Sequence, residues 1–270
     1  MWLFASILTN EIVIIKLLKS QPRNNRQRNP PLREYHLQKQ LLCSASKAFN
    51  LHFNSRFPSP KSFDIYVEQV DQEILETFIA WVYNVDLDLA VNKQTLSARK
   101  LIDLYLFADN KGCNRLKNDV IDLLQDSIVN GRVSWELKDI AYIFSCPATR
   151  ADSCWFLRRF AAHSLFYGSV EIQKFEYNSL RVFFDMYPEA ENVYTGVQQA
   201  HWNSGARKFR HPLSRDRTEG LQTICTYHIH DAARGESCRS KANTHLFAAA
   251  SLPPSPPPSA PNSPPYYYYN

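Results

Sequence analysis

Apolar and polar positions recur with two different periods along this chain, and the switches between them mark out its elements. Glu11-Ile-Val-Ile-Ile-Lys16 is compact and β-branched, which suits a strand. Ser20–Pro31 follows with Arg23, Arg26, Arg28, three Asn, three Pro and no acid, the composition of a solvated loop. Arg33–Lys39 alternates enough for a second short strand that pairs back on the first. Leu41-Leu42 then opens an apolar helical stretch through Ala45, Ala48 and Phe49. It breaks at Asn54-Ser55, and the two prolines of Phe57–Pro60 forbid a helix there. Ser62–Glu68 alternates cleanly, which predicts a strand with Phe63, Ile65 and Val67 turned towards the helices.

The period then becomes helical. Asp71 and Glu73 place negative charge where a helix N-terminus favours it, and Leu75, Phe78, Ile79 and Val82 follow at helical spacing. Asn84–Asn92 reads as a loop, with Val85–Leu89 a short edge strand inside it. Leu101, Leu104, Tyr105 and Ala108 make the next helix, closed near Asn110–Gly112 by residues that tolerate a left-handed cap. Leu116, Val120, Leu123 and Leu124 make another. From Trp135 to Tyr187 the pattern stays helical and aromatic, interrupted at Cys146-Pro147. Its two stripes are Leu137, Ile140, Ala141 and Phe144, then Phe156, Leu157, Phe160, Ala161 and Leu165. Periodicity fades beyond Gly196, and Leu252–Asn270 holds eight of the sixteen prolines and ends in Tyr266–Tyr269. That composition prefers an extended polyproline-like chain and cannot build a core.

Composition alters this picture in three ways. The chain has only seven glycines among 270 residues and no Gly-x-Gly, Walker-type or Gly-x-Ser-x-Gly motif. Dinucleotide folds, P-loops and nucleophile elbows all need glycine at their tight turns, so these enzyme classes are disfavoured. The formal charge of +5 divides into +5 for residues 1–33, −4 for 34–196 and +4 for 197–270. The basic charge thus flanks the expected folded body, which argues against a nucleic-acid domain with a basic face of its own. Cys43, Cys113, Cys146, Cys154, Cys225 and Cys238 lie too far apart for a disulfide scaffold and contain no Cys-x-x-Cys. A reducing compartment, cytoplasmic or nuclear, is expected. Asn10, Glu11 and Lys16 interrupt the apolar N-terminal stretch, so no membrane span is expected there.

Tyr35–Ser46 resembles the signature of the BTB/POZ family around its second strand and first helices: an aromatic, an apolar residue, a Leu-Leu pair and a small-residue serine element. Phe49 and Phe53–Phe57 resemble the segment that follows, and Ser62–Glu68 the third strand. Phe78-Ile-Ala-Trp-Val-Tyr83 is similar to the helix that ends in an apolar residue and tyrosine. Leu101–Asp109 resembles the helix with leucine, tyrosine and alanine-Asp, and Leu116-Lys-Asn-Asp119 leads into the next. The pieces run in family order over residues 11–127, although Gln38 stands where the family commonly has histidine and the first loop is longer than usual. Trp135–Tyr167 resembles the helical extension of fungal members, and Cys225–His230 a motif of their tails.

The resemblance implies an α+β, BTB/POZ-like fold, a helical cluster flanked by short β-sheets, with a C-terminal helical extension. The expected organisation is an N-terminal lead over 1–10, the BTB/POZ-like domain over 11–127 with a basic loop at 19–33, the extension over 128–196, and a mostly disordered tail over 197–270. It also implies a protein-binding, homodimeric adaptor without enzymatic activity, cofactor or metal. The first strand and first helix would supply much of the interface. Ile12, Ile14, Leu41, Leu42 and Phe49 are the candidates, and they either form such a face or fill the monomer's core. The alternative reading is a cullin-dependent ubiquitin-ligase substrate adaptor, against which Phe57-Pro58-Ser59 lacks the glutamate of the apolar-x-Glu motif that cullin binders share. A nucleic-acid-associated regulator, bound through the basic flanks, is the rival from another class.

Other chemistry-bearing residues have plainer readings. Cys225, His228, His230 and Cys238 offer zinc-ligand types, but their spacing matches no standard finger. Asp86 and Asp88 lie beside no nucleophile or histidine in a catalytic arrangement, and a solvated loop explains them. Cys146 and Cys154 read as small core hydrophobes.

Overall fold

The computed structural model describes residues 11–19, 31–55, 60–67, 70–91, 94–146, 154–170, 175–203 and 227–229. The chain divides into Met1–Ile229 and His230–Asn270, and every described residue belongs to the first unit. That unit is α+β, mostly helical, with a three-stranded sheet.

Strands β1 (Ile12–Leu18) and β2 (Arg33–Gln38) form the expected antiparallel pair, in a register that sets Val13 opposite Leu37. β3 (Ser62–Tyr66) pairs parallel to β1, giving the order β2-β1-β3. A parallel return needs a crossover, and helices α1 (Lys39–Ala45) and α2 (Lys47–Asn54) lie within it. Val13, Ile15 and Leu17 from β1 and Ile65 from β3 are buried, with Phe63 and Val67 packed at the edge of the same core. The period-two reading of β3 therefore holds, and β1, expected as a strand from its β-branched residues, follows the same alternation. It could not foresee which strand would sit in the middle.

One helical stretch was expected from Leu41 to Phe49, and the chain builds two. Ser46 is the break, its backbone extended at φ −138° and ψ 126°. Its Oγ accepts the Phe49 N–H at 3.2 Å and donates to the Lys111 carbonyl at 2.6 Å. A hydroxyl that competes for backbone groups favours such a cap over a helix interior.

Helix α3 (Gln72–Val82) starts at Asp71, whose carboxylate accepts the Glu73 N–H at 2.7 Å. Val85–Leu89 is not the expected edge strand: α4 (Leu87–Ala90) forms there. Asp86 caps it by accepting the Asp88 N–H at 2.9 Å, Asn84 turns the chain at φ +61°, and Leu87 is buried. Only one apolar residue of the segment is needed inside, so alternation has no second strand to satisfy. α5 (Ala98–Asn110) ends at Gly112, where φ is +66° and an added Cβ would stand 3.0 Å from Lys47 Cβ. This confirms the glycine cap. α6 (Asn114–Val129) packs along α5, and the Lys117–Asp109 ion pair at 2.7 Å joins them in the interior.

The chain continues through α7 (Leu137–Ser145), α8 (Trp155–Val170), α9 (Tyr177–Met186) and α10 (Pro188–Asn203). A single hydrophobic cluster runs from Val13 through Phe49, Phe78 and Leu124 to Trp135, Phe160 and Phe183. Helices of the 128–196 segment thus share the core of the 11–127 segment. Beyond residue 196, α10 continues to Asn203 with Val197 buried, and Tyr227–His228 are buried as well. Order thus continues past residue 196 at these positions, within a segment expected to be mostly disordered. Residues 1–10, most of the basic loop and the Pro/Tyr segment lie outside the described residues.

Candidate interaction surface

β1 has two faces because successive side chains point opposite ways. Its odd-numbered residues enter the core, so Ile12, Ile14, Lys16 and Leu18 form the middle row of the sheet's outer face. Gln38, His36 and Glu34 stand beside the first three on β2, and Ser62, Asp64 and Tyr66 stand beside the last three on β3. None of these residues is buried. The row is apolar at its start and end, while charge gathers around it. Lys16 Nζ is 3.7 Å from Glu34 Oε1, and Lys39 Nζ is 3.1 Å from Glu11 Oε1.

One further exposed aromatic sits beside the end of the sheet. The Tyr83 hydroxyl accepts the Gln38 N–H at 3.1 Å, which holds this exposed ring beside the Ile12–Gln38 pair. Exposed Val85 and Leu89 follow it in the chain. An apolar centre with a polar rim is the usual anatomy of a protein interface. On the opposite side of the sheet, β2 is fastened to α3. Tyr35 donates to Glu76 Oε1 at 3.0 Å, and Arg33 meets the same oxygen at 2.7 Å. Burial, followed by the bond to Glu76, pushes the Tyr35 hydroxyl up to about 12.

The five sequence candidates separate. Ile12, 46% exposed, and half-buried Ile14 share the outer sheet face. Leu41 is half-buried and packs on the edge of the core. Leu42 and Phe49 are corrections: both are 0% exposed and belong to the monomer's core. Phe49 stacks edge-on to Phe63 at 5.0 Å and lies 5.9 Å from Phe78. Adjacent helical positions point about 100° apart, so Leu42 enters the core while Leu41 sits at its edge. Leu18, Tyr66, Tyr83 and Val85 were missed as surface candidates. The period-two reading put Tyr66 on the outer face of its strand, and the same rule applied to β1 would have found Leu18.

Other candidate chemistry has structural employment. Asp86 caps α4, and Asp88 pairs with Arg132 at 2.5 Å. His228 Nε2 bonds Asp122 Oδ1 at 2.9 Å, while Cys225, His230 and Cys238 lie outside the described residues. Cys154 is buried and Cys146 half-buried, both as free thiols, and burial pushes the Cys146 pKa up. A cleft of about 20 Å³ between α3 and α5 has the Glu73–Lys100 ion pair in its lining, with Ile74 and Leu104. It offers room for about one water, not for a substrate. Phe57-Pro58-Ser59 and Arg23, Arg26 and Arg28 lie outside the described residues. Among the described residues no helix is long and apolar enough to cross a membrane.

No protein-family model matches the chain, and a search among curated proteins finds no match.

Proposed function

We propose that this chain is a BTB/POZ-like, non-enzymatic protein-interaction protein that self-associates and recruits other proteins. The observation that carries this reading is the outer face of the sheet. Ile12 and Ile14 stand there in the middle strand, rimmed by Glu11, Glu34, His36 and Lys39, while the opposite face of the same strand is fully committed to the core. An open sheet face with branched apolar side chains at its centre gains by being covered, at roughly 25 cal/mol per Å² of apolar surface removed from water. The element order supports the same reading: a hairpin, two short helices, a third strand, then packed helices, as the resemblance implies.

Sedimentation equilibrium tests the self-association. A dimer is expected at concentrations in the range of tens of micromolar, where transient interfaces begin to fill. Ile14→Asp puts a charge at the centre of that face and is expected to weaken the dimer at least tenfold while leaving the buried row intact. A wild-type chain that stays monomeric across this range overturns the homodimer.

A further inference from the structure

The described chain closes with three residues, Tyr227–Ile229, that lie against helices from much earlier in the sequence. Tyr227 is 4% exposed. Its ring meets Phe160 of α8 edge-on at 5.3 Å, and its hydroxyl lies 2.7 Å from His163 Nδ1, one turn further along the same helix. His228 bonds Asp122 of α6 at 2.9 Å. Asn118, one turn before Asp122, takes both backbone groups of Ile229: its Oδ1 accepts the N–H at 2.8 Å, and its Nδ2 donates to the carbonyl at 2.9 Å.

These contacts differ in what they recognise. Asn118 grips the main chain in two places, as a neighbouring strand would. The α8 pocket grips a side chain, and Asp122 accepts from an imidazole. Main-chain hydrogen bonds for affinity plus side-chain pockets for selectivity is the logic by which folded domains read short peptides. Burial holds His163 neutral, with its pKa pushed down to about 3, so the ring pairs with the tyrosine hydroxyl as a neutral donor or acceptor according to its tautomer.

We infer that the surface made by Asn118 and Asp122 of α6 with Phe160 and His163 of α8 is a peptide-recognition site for a Tyr-His-aliphatic sequence, occupied in cis by Tyr227–Ile229. A covalently joined segment competes at an effective concentration in the millimolar range, so outside peptides are held off until it is displaced. The inference is independent of self-association: a chain that sediments as a monomer is still expected to bind the peptide.

The test uses the full chain and a fluorescein-labelled peptide of residues 223–232 with Cys225→Ser. By fluorescence anisotropy, Tyr227→Ala is expected to bind this peptide at least tenfold more tightly than the wild type does, because the resident segment is weakened. Adding Asn118→Ala to Tyr227→Ala is expected to reduce that binding about tenfold or more, as is removing the tyrosine from the peptide. A folded Tyr227→Ala chain that binds no more tightly than wild type, or that binds the tyrosine-free peptide equally well, overturns the site. Hydrogen exchange on the unmodified chain covers the case in which Tyr227→Ala fails to fold. Excess peptide at several millimolar is expected to accelerate exchange at residues 227–229, and unchanged exchange there overturns the inference.

Discussion

At His163, burial and hydrogen bonding act on one imidazole. The ring lies inside α8 against Tyr227, and desolvation first, then the Arg159 charge, lower its pKa from 6.5 to about 3. The unfolded chain therefore takes up a proton before the folded one does, and stability is lost as pH falls from about 6.5 towards 3. Between pH 7 and pH 5 this site alone is expected to remove about 2 kcal/mol. His163→Gln keeps a hydrogen-bonding partner for the Tyr227 hydroxyl but does not titrate in this range. Urea midpoints at the two pH values should show the wild type losing more stability than the variant, and equal losses would refute the assignment. Ser46 shows the same economy without a charge, since one buried hydroxyl both starts α2 and satisfies a carbonyl at the end of α5.

Among the elements, α6 does the most joining. Leu116-Lys-Asn-Asp119 sends four side chains to four places. Leu116 enters the core, Lys117 pairs with Asp109 on α5, Asn118 grips Ile229, and Asp119 accepts from Trp81 Nε1 of α3 at 2.8 Å. Burial pushes the Asp119 pKa up, against the bond from Trp81 and the charge of Arg115. Lys117 and Asp109 are 6% and 10% exposed, so neither charge can turn to water for relief. Lys117→Met is expected to cost about 3–5 kcal/mol because it strands the carboxylate. Replacing both residues, Lys117→Met with Asp109→Leu, should recover most of that loss. Denaturant midpoints of the two variants decide this, and a single variant within 1 kcal/mol of wild type would count against an interior pair.

Across the whole molecule, one hydrophobic cluster joins the sheet and α1–α6 to α7–α9. Tyr142 of α7 donates to Asp103 of α5 at 2.5 Å, and the Arg99 guanidinium lies over the Tyr142 ring. Burial leads the causes that raise both the Tyr142 and Asp103 pKa values. Helices so tied should unfold with the body they cover. A single calorimetric transition is expected for residues 11–203, with the calorimetric and van't Hoff enthalpies equal. Two resolved transitions would mean that the 128–196 segment is energetically separate. The exposed sheet face belongs to this scale as well, because it exists only once β1 has committed its other side to the core.

What the sequence determined by itself is every feature that depends on neighbours a few residues apart. Alternation gave β3 its inner row, β-branching marked β1 as a strand, helical spacing selected Leu75, Phe78, Leu101 and Leu124 for the core, and Gly112 marked the end of α5. Tertiary structure alone decided whatever needed a partner distant in the chain. β3 returned parallel to β1, the Ser46 hydroxyl found the Lys111 carbonyl, and Leu42 and Phe49 went inside while Ile12 stayed out. Local periodicity reports which side of an element is apolar. It carries no information on whether that side meets the core or another surface, because both are satisfied by the same loss of contact with water.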